Sequence, residues 1–279
     1  MLAQRQASAV TTPNDAKAKS AASAAGDLQI KIARHGFATR NGFNEVLHDI
    51  DLRIGQGAFF VLVGQSGCGK TTLLNVLAGF VQPTDGAVYI DGHALRGPSN
   101  ERVVVFQDVH NSLFPWMTVR QNIEFGLEML RRPQEERRSR TDSLLQLVGL
   151  TEHDGKFPDE LSGGMKQRVQ IARALAIGPK ILLMDEPFAS LDAQTRRTMQ
   201  GELLRIWARA KTSVLFITHD ILEAVLLADR IGVMSKGPAA TIMQVLEPNL
   251  PRPRTFADSK FTALVSKIEG MLGRETDHG

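Results

Sequence analysis

Eight residues in the first third of the chain have the spacing of a loop that holds phosphate groups. The segment fits the pattern G-x-x-x-x-G-K-[ST] without a gap and reads Gly64-Gln65-Ser66-Gly67-Cys68-Gly69-Lys70-Thr71. Its glycines let the backbone curl so that several N–H groups point at phosphate oxygens. Lys70 is a point charge for the β- and γ-phosphates, and the Thr71 hydroxyl suits Mg²⁺. An apolar run before it and a helical pattern after it argue against a chance glycine-rich turn.

Two acidic residues follow an apolar run later in the chain. Ile181–Met184 predicts a buried strand, and Asp185 and Glu186 come directly after it. Ligands bind beyond the carboxyl ends of strands in open α/β sheets. Because side chains alternate along a strand, the two carboxylates should point in different directions and take different tasks.

A second anion site is predicted at the start of another helix. Ser162, Gly163 and Gly164 precede a helical pattern that runs to Ile177. Such a position offers uncovered N–H donors, a hydroxyl and the positive end of the helix dipole. An ordinary Ser-Gly helix cap is the alternative reading of these three residues taken alone.

The order of these motifs resembles that of the ATP-binding cassette (ABC) family. Its mark is the segment Leu161-Ser162-Gly163-Gly164-Met165-Lys166-Gln167-Arg168, placed shortly before the acidic strand. The resemblance covers about residues 28–254. It implies an α/β fold of the P-loop NTPase type, with a RecA-like parallel core, an antiparallel β-subdomain and an α-helical signature subdomain at about 108–165.

The resemblance also implies the role of each catalytic group. Asp185 supports Mg²⁺ through water, and Glu186 is the general base for the attacking water. Gln107 touches the metal and the nucleophilic water, while His219 contacts the γ-phosphate. The implied metal residues are Thr71, Gln107 and Asp185. The implied nucleotide-binding residues are Phe37, Gly64, Gln65, Ser66, Gly67, Cys68, Gly69, Lys70, Thr71, Thr72, Ser162, Gly163, Gly164 and Asp192. Phe37 is expected to stack on adenine, and Phe43 is the other candidate in that loop.

In this family the signature of one protomer closes on the γ-phosphate held by the other. We therefore expect a homodimer with two ATP molecules and Mg²⁺ at its interface. Asp192, in Ser190-Leu191-Asp192, resembles the loop that faces the opposite protomer.

Leu113–Val119 resembles the Leu-x-Pro-Trp stretch of importers for nitrate, sulfonates and taurine, and the residues around Gly237-Pro238 and Leu250–Arg254 resemble the same branch. This implies an ATPase that drives uptake of a small anion through a separate integral membrane permease, supplied indirectly by a substrate-binding protein. The groove near Gln107 to Trp116 would receive the permease. An exporter subunit, or a non-transport ABC ATPase acting on ribosomes or DNA, is the alternative.

Composition agrees with a globular chain and argues against nucleic acid as a partner. The 279 residues carry 33 basic and 30 acidic side chains, for a net charge of +3. The single cysteine, Cys68, excludes an internal disulfide and fits a reducing compartment. No window approaches the roughly 18 apolar residues of a membrane span. We expect a peripheral protein on the cytoplasmic face of the inner membrane.

The elements that position these groups follow from apolar periodicity. We predict a disordered tail at 1–27, a nucleotide-binding domain at 28–254, and a C-terminal helix and tail at 255–279. Predicted strands are Leu28–Ile32, Leu47–Leu52, Phe59–Val63, Val88–Gly92, Val103–Phe106, Ile181–Met184, Val214–Thr218 and Ile231–Met234. Predicted helices are Lys70–Ala78, Gly164–Ile177 and Arg196–Ala210. In the C-terminal helix an apolar stripe of Phe261, Leu264, Val265 and Ile268 should pack on the parent domain.

Overall fold

A computed structural model describes residues 27–40, 42–107 and 112–273. The strands are β1 (Leu28–Thr39), β2 (Gly42–Ile54), β3 (Phe59–Val63), β4 (Asp85–Ile90), β5 (His93–Ala94), β6 (Arg102–Val105), β7 (Ile181–Asp185), β8 (Ser213–Thr218), β9 (Arg230–Met234) and β10 (Ile242–Leu246). The helices are α1 (Lys70–Ala78), α2 (Val119–Met129), α3 (Gln134–Val148), α4 (Gly163–Ala176), α5 (Ala193–Ala210), α6 (Ile221–Leu227) and α7 (Ser259–Gly273).

The larger sheet has the order β10-β9-β3-β8-β7-β6, parallel except for β10. Its central strands are buried on both faces, as the continuous apolar runs of β3, β7 and β8 predict. The carboxyl ends of these strands meet at one edge of the sheet. The phosphate loop, the acidic pair and His219 all follow those ends.

A second sheet is antiparallel, with the order β2-β1-β4-β5. Together the two sheets confirm the predicted fold class. Strands β1 and β2 are longer than the apolar alternation predicted. The reason is a register shift between His35 and Gly36 that interrupts the period-two pattern while pairing continues to the hairpin end.

The two faces of the larger sheet support two apolar clusters. Alternate residues of β3 show the division: Phe59 and Val61 point to the helices α2 to α7, whereas Phe60 and Leu62 point to α1 and the antiparallel sheet. Apolar residues of α3, such as Leu145, belong to the first cluster together with Phe59. The helical segment therefore packs on the same apolar cluster as one face of the sheet, and the boundaries of the helical subdomain stay a prediction.

Two further expectations were wrong in detail. Asp27, assigned to the tail, is buried and accepts hydrogen bonds from Arg53 at 2.8–2.9 Å, so the fold begins there. Val103–Phe106 was predicted as a buried strand, but β6 is the sheet edge; Val103 is half-buried and Phe106 is exposed. The other residues of the predicted tail, 1–26, lie outside the described residues, as do 108–111 and 274–279.

The C-terminal helix α7 packs on the domain as its apolar stripe predicts. Phe261, Val265 and Ile268 are buried, and Leu264 is half-buried. Within the part of the chain that the structure describes, no helix has the length and apolar character to cross a membrane.

Candidate functional site

The phosphate loop lies between the buried end of β3 and the first turn of α1. Lys70 is only 5% exposed, and its Nζ donates to the carbonyl oxygens of Gly64 and Gln65, both at 2.8 Å. The ammonium group is therefore folded back into the curl of the loop. Gly69 precedes the helix at a φ of 100°, which favours glycine, and no side chain caps the helix start. The N–H groups of the first turn thus stay available for an anion.

Cys68 and Gln65 have fixed positions within this loop. Cys68 is buried, with its Sγ 3.9 Å from Lys70 Nζ, which agrees with an ordinary loop residue. The Gln65 side chain points the other way and donates to the carbonyl oxygen of Leu272 at 3.0 Å. The last turn of α7 therefore touches the phosphate loop, a contact that the sequence did not reveal.

Thr71 and Asp185 meet at the carboxyl edge of the sheet. The Thr71 hydroxyl donates to Asp185 Oδ2 at 3.0 Å across 114 residues of sequence. Burial raises the pKa of Asp185 above its ordinary value, against the hydrogen bond from Thr71, which lowers it; neighbouring Glu186 raises it further and Lys70 lowers it. Both oxygens are hard ligands of the kind that Mg²⁺ prefers. Among the described residues no cluster of three or more His, Cys, Asp or Glu side chains could hold a metal alone.

Glu186 and His219 form a contact at the ends of two neighbouring strands. His219 Nδ1 lies 2.9 Å from Glu186 Oε2, with the Glu186 side chain largely buried and the His219 ring 57% exposed. Glu186 adopts a positive φ of 43°, while its N–H donates to the Ile217 carbonyl oxygen of β8 at 3.0 Å. A left-handed glutamate costs about 1–3 kcal/mol, and such strain is commonly found at functional sites. The carboxylate is thus aimed by its backbone and restrained by the histidine.

The signature residues occupy a different part of the molecule. Ser162 caps α4 by accepting from the Met165 N–H at 3.3 Å, as its helix-cap reading predicts. Gly164 leaves no free space, because a Cβ there would lie 3.3 Å from Thr195 and 3.4 Å from Met199 of α5. Ser162 and Gly164 line one cavity together with residues of α5, whereas Gln65, Ser66 and Gly67 line a different cavity together with residues of β2. Within one chain, the two predicted anion sites are therefore not brought together.

Asp192 begins α5 and is fully engaged as its N-cap. Its Oδ1 accepts from the N–H groups of Thr195 and Gln194, both at 3.0 Å. The hydrogen bonds from Thr195 are the main reason why the Asp192 pKa lies below its ordinary value. Asp192 is exposed, so the loop that precedes α5 lies on the surface at this point.

Gln107 is exposed just beyond the end of β6. Behind it, the carbonyl oxygen of Phe106 accepts from Gln170 Nε2 of α4 at 3.1 Å. Farther along, Trp116 is 70% exposed and packs on Phe114, with their ring centroids 5.6 Å apart. Buried Asn122 bonds the main chain of this loop at Phe114, Met117 and Thr118. The Leu-Phe-Pro-Trp stretch is therefore a braced loop that presents an aromatic side chain outward.

Phe37 and Phe43 are both 46% exposed at the end of the β1–β2 hairpin. Phe37 stands edge-on to His35 at 5.2 Å and pairs in register with Asn44. Asn44 lines a cavity of about 280 Å³ beside the phosphate loop, and neither aromatic side chain does. The other lining residues are Glu45, Val46, Gln65, Ser66, Gly67, Lys236, Gly237 and Pro238. The register favours Phe37 as the aromatic next to this cavity, while its contact with a base stays a prediction.

A buried polar pair behind the histidine was missed by sequence reasoning. Glu223 of α6 is buried and accepts from Gln200 Nε2 of α5 at 3.0 Å. Burial raises the pKa of Glu223, and hydrogen bonds from Thr218 and Gln200 oppose that shift. Glu223 lies four residues after His219 in the sequence. That spacing was the only indication of the pair, and it does not show whether the glutamate is buried or exposed.

Comparison with known proteins agrees with this geometry. The sequence profile of the family described as ABC transporter matches residues 47–189, just over half of the chain. The nitrate import ATP-binding protein NrtD of Synechococcus elongatus is 49% identical over 248 residues, covering 87% of this chain and 90% of that protein. The bicarbonate transport ATP-binding protein CmpC of the same organism is 50% identical over 222 residues, covering 78% of this chain but 33% of that longer protein. Among solved structures, the dimeric ATP-binding cassette MJ0796, bound to ADP and phosphate, superposes with a TM-score of 0.64 at 29% identity, covering 79% of this chain and 98% of that one.

Proposed function

The chain belongs to the ABC transporter family of ATPases, and from that premise we propose that it hydrolyses ATP to drive import of a small oxyanion through a separate permease. The single observation that carries the ATPase step is the Glu186–His219 contact at 2.9 Å, at the strand edge where Thr71 and Asp185 also meet. A carboxylate held in this way is placed to orient or deprotonate an attacking water.

Each group near the phosphate loop has a task in this scheme. The Lys70 ammonium leaves the carbonyl oxygens of Gly64 and Gln65 and takes the β- and γ-phosphates. Thr71, Asp185 and Gln107 would hold Mg²⁺, which when bound neutralises charge on the phosphate oxygens. Glu186 accepts the proton of the water, and His219 holds Glu186 in place. Catalysis is then mostly positioning and charge stabilisation of a loose phosphoryl transition state.

The active form is proposed to be a homodimer. The phosphate loop and Ser162–Gly164 are unconnected within one chain, yet both offer N–H donors to anions. Two copies arranged head to tail would bring each signature onto the nucleotide of the other copy. The dimeric state of the solved MJ0796 cassette supports this arrangement. Asp192, which is exposed and held as a helix cap, would contact the opposite protomer in this arrangement.

The imported substrate is proposed to be an anion of the nitrate or bicarbonate type. This rests on the names of the two relatives, one of which is matched over nine-tenths of its length. The chain would be peripheral, on the cytoplasmic face of the inner membrane, with Trp116 anchoring a permease segment. An exposed, pre-positioned aromatic side chain is typical of an interface anchor. A binding protein would deliver the anion to the permease.

Recovery of partners from membranes tests this proposal. The tagged chain is purified from detergent-solubilised membranes of its host, and the accompanying proteins are identified by mass spectrometry. We expect a multi-span permease with an associated binding protein, whose ligand then names the anion. Trp116→Ala should lower recovery of the permease, whereas Phe80→Ala, which alters a comparably exposed aromatic elsewhere, should not. Ribosomal or DNA-associated partners without any membrane protein would refute the transport role.

A further inference from the structure

One hydrogen bond joins the helix of the signature to the segment that carries Gln107. Gln170 lies on α4 and is only 3% exposed, and its Nε2 donates to the Phe106 carbonyl oxygen at 3.1 Å. The two residues are 64 positions apart in sequence. Phe106 is the first residue after β6 and the one directly before Gln107. The bond therefore fixes the peptide group from which Gln107 leaves the sheet.

The chemistry of Gln170 is unusual for its surroundings. Its neighbours on α4, Val169 and Ile171, are buried in the apolar core. The Gln170 Oε1 atom is also buried and has no hydrogen-bond partner among the described residues. Leaving such an acceptor unpaired costs about 1–3 kcal/mol, whereas a neutral hydrogen bond contributes about 1 kcal/mol. The amide nitrogen is therefore paired with Phe106, while the amide oxygen is buried without a partner among the described residues.

The bond also has a particular place in the fold. Ser162, the cap of α4, lies about 12 Å from the level of Gln170 along the helix axis. Both residues therefore belong to one helix, with Ser162 at the start of α4 and Gln170 about two turns later. The Gln170 hydrogen bond therefore connects the Phe106–Gln107 peptide directly to the helix that presents Ser162.

We propose that Gln170 is a positioning residue that couples Gln107 to the signature. This rests on the proposed function, in which Gln107 approaches bound Mg²⁺ and Ser162 serves the nucleotide of the other protomer. When ATP draws Gln107 inward, the Gln170 bond carries that movement to α4. Part of the free energy of ATP binding at one site is thereby used to orient Ser162–Gly164, which contact the nucleotide bound by the other protomer.

The test compares three equilibria in chains that also carry Glu186→Gln, so that ATP is retained. Gln170→Met keeps the length of the side chain and removes the donor. Loss of one coupling bond should raise the dimer dissociation constant at saturating ATP and Mg²⁺ about fivefold, the equivalent of about 1 kcal/mol. ATP affinity of the monomer, measured at low protein concentration, should not weaken, because the phosphate loop is untouched and no binding energy is used to orient α4. The unfolding temperature should change little, since removal of the unpaired Oε1 atom offsets loss of the hydrogen bond to Phe106.

A matched control separates coupling from packing. Thr141 on α3 is also buried, with an Oγ1 that has no partner among the described residues. Thr141→Val removes a buried polar atom without breaking a bond and should leave the dimer constant unchanged. If Gln170→Met misfolds, Gln170→Ala provides the same comparison with less bulk.

An unchanged dimer constant in Gln170→Met, or an equal change in Thr141→Val, would overturn the inference. So would a loss of dimer that tracks a loss of thermal stability. If the parent Glu186→Gln chain binds ATP but never dimerises, the proposed dimer is itself refuted, and the inference falls with it.

Discussion

His219 should have two separable tasks, one for each ring nitrogen. Its Nδ1 lies 2.9 Å from Glu186 Oε2, which leaves Nε2 free to face a γ-phosphate. Both of those partners are anionic hydrogen-bond acceptors, so each ring nitrogen has its own partner to serve. Asparagine places its amide nitrogen near the Nδ1 position, and glutamine places it near Nε2. The two variants therefore remove the tasks one at a time.

The expected magnitudes follow from the two contacts. Losing one donor aimed at charge that develops in the transition state costs about 10²–10³ in kcat. A hydrogen bond to a charged group is worth about 1.5–3 kcal/mol, and the exposure of the ring puts this one at the lower end, about tenfold in rate. His219→Ala should thus lose about 10³–10⁴ in kcat, His219→Asn about 10²–10³, and His219→Gln about tenfold.

Steady-state phosphate release at saturating ATP and Mg²⁺ measures these rates. KM for ATP should change little, because Lys70 and the loop amides still bind the triphosphate. Equal rates for His219→Asn and His219→Ala would show that the Glu186 contact has no catalytic value. If His219→Ala keeps more than about a tenth of the wild-type kcat, both tasks are refuted. The loss in kcat would then be smaller than the loss expected from removing a single donor.

Two further predictions concern the base site and the buried acid. Phe37→Ala should weaken ATP affinity about tenfold with kcat unchanged, because stacking on a base is worth about 1–3 kcal/mol; the equally exposed Phe43 provides the control, and an unchanged affinity in Phe37→Ala would remove that residue from the site. Glu223→Gln should be more stable than wild type at neutral pH, because burial raises the Glu223 pKa and so penalises the ionised carboxylate in the folded protein relative to the unfolded chain. The difference in unfolding temperature between Glu223→Gln and wild type should be small below pH 4.5, the ordinary pKa of a glutamate, and should grow as the pH rises above it. A difference that is the same at every pH would contradict the raised pKa of Glu223.

The sequence predicts those parts of this molecule that are local in the chain. β3, α1 and the loop between them were predicted with correct bounds, because a continuous apolar run, three glycines and a helical pattern adjoin one another. The helix after Ser162 and the buried strand before Glu186 were predicted to within one residue at their ends, and the Ser162 cap was the alternative reading of its segment. Each of these features is determined by residues within about ten positions, where hydrophobic period and turn chemistry decide the structure.

Contacts between distant segments were not predictable in this way. The bond from Gln170 to Phe106 spans 64 positions, and that from Gln65 to Leu272 spans 207. Nothing in the period of β6 marks it as an edge strand, since strand order is a property of the assembled sheet. Asp27 looked like the end of a polar tail because its partner, Arg53, is 26 residues away. The residue roles in the site thus came from family resemblance, and the structure adds the distances that make them testable.

We propose Glu186 as the general base of an ATP site that a second copy of the chain completes. Light scattering of Glu186→Gln with ATP and Mg²⁺ tests it most directly. We expect very slow hydrolysis of ATP and, when ATP is added, a doubling of the particle mass from the 30.6 kDa of one chain. Adding Ser162→Ala should weaken that dimer, while Ser143→Ala, at an exposed serine of α3, should not. A Glu186→Gln chain that turns over ATP at a near-normal rate and stays monomeric would contradict the account.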